Sequence, residues 1–173
     1  MSNLYVKNSI RFVLLILFQV LVLDQVHFGG YVIPYVYILF ILLLPFDIPK
    51  SLLLFLAFGT GLTIDFFGNT LGLHTAALVM LAFSRPGVLR LYFKKTEFLP
   101  GAEPGIRKLG FMGFVKYSFS LILIHHLALF YLEFFSLRYF FTTFEHALIN
   151  SLASLTGVMI LVMLFTKPNK RKR

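Results

Sequence analysis

Long apolar runs, broken by short clusters of polar and turn-forming residues, repeat along the whole chain. Six runs stand out: residues 8–23, 31–44, 51–67, 71–83 with a continuation towards Phe93, 111–135 and 142–165. Between them lie "HFGG", "PFDIP", "FGN" and the longer "KKTEFLPGAEPGIRKLG", rich in residues that end helices. A bilayer core of roughly 30 Å takes about 20 helical residues, fewer where flanking side chains snorkel or neighbours shield the ends. The pattern predicts an all-α integral membrane protein in one polytopic domain, with about six transmembrane helices. The second and fourth runs are short, which leaves five spans or a re-entrant piece as the other solution.

Composition sharpens this picture. Hydrophobic residues make up 58% of the 173 and charged residues only 13%, against about 25% charged in soluble domains. Cysteine is absent, which excludes disulfides, thiolate nucleophiles and cysteine metal sites. The first run follows Lys7 and Arg11 and so imitates a signal peptide. The following "DQVHFGGYVIP" offers no small-x-small cleavage site, which makes the run a retained first helix. The 22 phenylalanines and eight tyrosines read as lipid-facing and interfacial bulk.

The net charge of +9 matters through its placement. With the amino terminus in the cytoplasm, six spans put 14 of the 16 lysines and arginines on the inner side. These lie at Lys7, Arg11 and Lys50, in the basic stretch from Arg85 to Lys108, which includes the 94–110 loop, and in the 167–173 tail. Lys116 opens the fifth span, and Arg138 alone falls outside. This is the asymmetry of the positive-inside rule, with both termini cytoplasmic. Basic loops against the inner leaflet imply contact with anionic lipids; a nucleic-acid partner does not suit a multispanning chain.

Candidate chemistry is sparse. In the third run Ala57, Gly61 and Asp65 recur every four residues and share one helix face. Small residues at that spacing allow close helix approach. Asp65 falls near the outer end of the run, and the "FGN" turn brings His74 to a similar depth, so the two are expected to pair as a staple at a hairpin tip, with Asn69 and Thr70 as caps, in preference to a proton or ion relay, which needs further acids along a path. On this reading Asp65→Asn is tolerated and Gly61→Leu is not. The sixth run carries Ala147, Asn150, Ser151, Ser154 and Gly157 as a small, polar stripe for interhelical hydrogen bonds. His125 and His126 point about 100° apart on a helix and read as interhelical hydrogen-bonders, not as one metal site. Gln19 reads the same way. No nucleophile elbow, Walker loop or dinucleotide fingerprint occurs, so no catalytic, cofactor or metal residues are assigned.

A basic amino terminus leads into "GGYVIPYVYILFILLLP", then "GTGLTIDFFGNTLGLHTAAL", two further runs and a basic tail. This resembles the rod-shape-determining MreD family of bacterial inner-membrane proteins. Gly59, Gly61, Asp65, Leu71 and Gly72 carry most of the likeness, and Pro34 fits it, whereas Tyr35 stands where many members have an acid. The resemblance implies a non-enzymatic scaffold subunit of the cell-wall elongation complex, without cofactors. Its implied partners are a bitopic MreC-type protein, the elongation polymerase and transpeptidase, and indirectly the actin-like MreB filament. It also implies a fold similar to the substrate-binding subunits of energy-coupling-factor transporters. The alternative is a substrate-binding subunit of a vitamin or metal importer. Against it, the first run "IRFVLLILFQVLVL" lacks the small residues with which such subunits dock their coupling partner. The residues expected to serve packing or partner contact are Ala57, Gly59, Gly61, Asp65, Gly72, His74, Asn150, Ser154 and Gly157.

Overall fold

The structure is a computed structural model that describes residues 2–25, 32–93, 99–134 and 140–165. The 167–173 tail, the first residues of the 94–110 loop and Arg138 lie outside the described residues. Five helices are long and apolar enough to cross a membrane: α1 (Ser2–Leu21), α3 (Lys50–Gly68), α4 (Leu73–Phe93), α6 (Phe111–Phe134) and α7 (Phe140–Phe165). Among the described residues two short helices, α2 (Ile38–Leu42) and α5 (Ile106–Leu109), and a 3-10 turn at Leu23–Gln25 accompany them. The chain therefore has the build of a multi-pass helical membrane protein. Its outward faces are apolar, with Phe55, Phe66, Phe83, Phe141 and Phe165 all more than 70% exposed.

Local chemistry sets the helix ends. Pro49 stands at the N-cap of α3, where its missing N–H costs nothing. Asn69 ends α3 in the left-handed conformation at φ 52°, which asparagine tolerates better than most residues. Gly72, at φ 84°, turns the chain into α4. Pro86 inside α4 removes one helical hydrogen bond, but the helix runs on to Phe93.

The second predicted span is not a helix. Residues 32–36 are non-helical, Tyr37 turns the chain, and only Ile38–Leu42 close a helical turn, with all five side chains buried. The segment nevertheless runs alongside α1 in the antiparallel direction. The Val36 N–H donates to Gln19 Oε1 at 2.8 Å, and Arg11 Nη1 donates to the Leu43 carbonyl at 3.4 Å. Gln19 and Arg11 are roughly 12 Å apart along α1 at 1.5 Å per residue. Non-helical backbone is tolerated at membrane depth only where protein surrounds it. Val36 to Leu42 are at most 4% exposed and form the centre of the core with Leu53, Leu78, Leu81, Phe114, Leu121 and Val158.

The contacts of Lys7 and Arg11 with Glu103, of Arg11 with Leu43 and of Arg85 with Pro45 gather the described lysines and arginines, at Lys7, Arg11, Lys50, Arg85, Arg90, Arg107, Lys108 and Lys116, towards one end. That end is fastened by a loop. Glu103 accepts from Lys7 Nζ at 2.7 Å and Arg11 Nη2 at 2.9 Å, while the Gly101 N–H donates to the Asp47 carboxylate at 3.0 Å. The described part of the basic loop thus folds back on the protein as well as carrying charge.

Candidate functional site

The polar side chains of the spans gather around the broken crossing. Its non-helical half presents N–H groups that no helix satisfies, and side-chain acceptors take them. Asn150 Oδ1 accepts from the Ile33 N–H at 3.0 Å, Ser154 Oγ from the Tyr35 N–H at 2.8 Å and Gln19 Oε1 from Val36. Gln19 Nε2 in turn donates to Asp24 at 2.7 Å. The small, polar stripe of α7 therefore faces this segment, and Gly157 completes the fit. A Cβ there would stand 2.9 Å from Val36 Cγ1.

The other half of the crossing presents free carbonyls, and side-chain donors take those. Arg85 lies only 1% exposed, one residue before Pro86. Its guanidinium donates to the Leu44 and Pro45 carbonyls, and Nε donates to the Tyr117 hydroxyl at 2.8 Å. That hydroxyl donates onward to the Leu42 carbonyl at 3.0 Å. Charge-based reading puts Arg85 at the membrane surface; in the structure it is a buried clamp. Tyr37 and Tyr117 are fully buried too, contrary to their reading as interfacial bulk.

At the hairpin tip, Asp65 serves the start of α4. Its Oδ1 accepts from the His74 N–H at 3.1 Å and Thr70 Oγ1 at 2.5 Å; Oδ2 accepts from the Thr75 N–H at 2.8 Å and Thr75 Oγ1 at 2.5 Å. A carboxylate reaching across from α3 thus satisfies the first free donors of α4. The expected pair exists through the backbone of His74, not its ring, and the cap is Asp65 itself rather than Asn69 or Thr70. Gly61 lies beneath it, where a Cβ would come within 2.4 Å of Thr75 Cα, so the two helices touch backbone to backbone. Ala57 is fully buried on the same face. Gly59 instead faces open space, with nothing within 4 Å of a Cβ placed there.

The His74 ring joins an aromatic cluster with Tyr35, Tyr37, His125 and His126. The Tyr37 hydroxyl bridges His74 Nδ1 at 2.9 Å and His125 Nε2 at 2.8 Å. A hydroxyl has one proton, so it donates to one ring and accepts from the other. His126 Nδ1 lies 2.8 Å from the Ile122 carbonyl, which can only accept. Nδ1 therefore carries the proton, and Nε2 accepts from Ser154 at 3.2 Å. Tyr35 stacks on His126 with ring centres 5.4 Å apart and meets His74 edge-on at 5.1 Å. The two adjacent histidines thus bond to different elements, as their angular separation requires. No three histidine or acidic side chains among the described residues come together as a metal site.

Comparison with protein families, curated proteins and solved structures finds no match for this chain.

Proposed function

We propose that the chain is a non-enzymatic scaffold subunit of the bacterial cell-wall elongation complex, of the MreD type. On this reading it sits in the inner membrane with both termini cytoplasmic. Its basic end meets the anionic leaflet, and its fold is similar to that of the substrate-binding subunits of energy-coupling-factor transporters. The observation that carries the reading is the hairpin joint. The stretch bearing the resemblance to MreD, Gly59 to Gly72, includes Gly61 pressed on Thr75 and Asp65 clamped on the first turn of α4. Its two most demanding residues thus serve architecture, as expected of a scaffold whose rigid body presents surfaces to a bitopic MreC-type partner, the polymerase and the transpeptidase.

Depletion in a rod-shaped host tests this. Cells are expected to round up, the wild-type chain to restore rods, and a one-span periplasmic partner to copurify. Retained rod shape on depletion overturns the proposal. The outer-end ring cluster favours one other reading, a substrate-binding importer subunit. Copurification with an ATPase pair in place of the bitopic protein would select it.

A further inference from the structure

We propose that the cleft between α3 and α4 at the basic end binds one anionic phospholipid, with its phosphate between Lys50 and Arg90. The cleft has a volume of about 250 Å³. Its walls are Leu53, Leu54, Ala82 and Phe83, and Pro86 and Gly87 form the side nearest the two cations. It exists because two small residues, Ala82 and Gly87, stand among large ones. A Cβ at Gly87 would meet nothing within 4 Å, so the missing side chain leaves room that no neighbour fills.

Charge decides the class of occupant. Neither Lys50 nor Arg90 has a hydrogen-bond or ion-pair partner among the described residues, although both line an apolar cleft. The first turn of α3 contains no acid, and its Pro49 cap supplies no side-chain hydrogen bond. The free N–H groups of that turn add partial positive charge beside Lys50. A ligand with one phosphate and an apolar chain satisfies both halves of the cleft. A free phosphate leaves the apolar walls bare, and an apolar partner helix leaves the two cations unmatched. Basic pockets between helices on the cytoplasmic side are where anionic head groups bind. The inference rests on the cleft and on the proposed orientation of its basic end, and stands apart from the scaffold role.

Native mass spectrometry of the detergent-solubilised chain tests it, with phosphatidylglycerol, phosphatidylcholine and inorganic phosphate as probes. The wild type is expected to hold one phosphatidylglycerol at least ten times more readily than phosphatidylcholine, and to show no phosphate adduct. K50Q/R90Q should lose at least fivefold of that preference, while Lys108→Gln, outside the cleft, changes nothing. Gly87→Leu should fill the cleft and lose the adduct, with an unchanged melting temperature as the check on folding. The double charge variant leaves helix packing untouched and carries the test should Gly87→Leu unfold. An unchanged preference in K50Q/R90Q overturns the proposal. So does an adduct retained by folded Gly87→Leu, or a Gly87→Leu chain that keeps its lipid but loses a partner protein.

Discussion

The two ends of the broken crossing solve opposite problems. At the end near Gln19, Asn150 and Ser154 the backbone offers N–H groups, and neutral side-chain oxygens accept from them. At the end near Arg11, Arg85 and Tyr117 it offers carbonyls, and a tyrosine and two arginines donate to them. The non-helical residues before α2 leave N–H groups without helical partners, and the end of α2 leaves free carbonyls. In water the solvent would satisfy both. In a bilayer the protein must, because each unsatisfied group costs several kcal/mol. The carbonyl end differs in one respect: its principal donor is a buried cation. A guanidinium with five N–H groups can serve several carbonyls at once, whereas the opposite end spends one side chain on each N–H.

That difference predicts unequal sensitivity to substitution. Arg85→Met should be the most damaging change, costing about 3–5 kcal/mol, since it strips several carbonyls of a charged donor at once. Unfolding in detergent micelles would measure it, and a loss below about 1 kcal/mol would break the comparison. Asp65→Asn comes next, at about 2 kcal/mol. Both carboxylate oxygens accept, and an amide would turn a donor towards either the His74 or the Thr75 N–H. The tolerance expected from sequence is thereby revised; accelerated hydrogen exchange at the start of α4 is the specific readout. Tyr117→Phe should cost about 1.5 kcal/mol, because the Leu42 carbonyl and Arg85 Nε each lose a partner. Ser154→Ala should cost about 1 kcal/mol, as one neutral acceptor among three is lost. The smallest effect is the most informative. Arg85→Met and Ser154→Ala, at opposite ends, should add to within about 0.5 kcal/mol, while Arg85→Met and Tyr117→Phe should not.

Much of this architecture was legible in the chain. The five helices follow from apolar runs with turn residues between them, because hydropathy and length report directly on the bilayer. The α3–α4 joint was legible too: four-residue spacing placed Ala57, Gly61 and Asp65 on one face, and depth brought Asp65 to the hairpin tip. The broken crossing was legible only as the alternative left open by the short second run, five spans or a re-entrant piece. A buried extended segment is as apolar as a helix, and hydropathy does not separate the two. Its signals were local: Pro34, the β-branched Val32, Ile33 and Val36, and a run too short for a helix. Arg85 was missed because positive-inside counting assigns a charge to a side, not to a depth. Its position before Pro86, a full turn ahead of Arg90, was the available sign.

The long reach of the outer clasp has a consequence for synthesis. Ile33 and Tyr35 are held by residues 117 and 119 positions further along the chain. At ribosomal speeds those partners emerge on the order of ten seconds later. Until then the second crossing has no wall on that side, and no lipid-facing helix of its own to fall back on. The Ile33 and Tyr35 N–H groups stay without these partners until α7 arrives. A ribosome stalled after α6 would therefore leave four of the five long helices and a second crossing held at Val36, Tyr37 and its carbonyl end, but open at Ile33 and Tyr35.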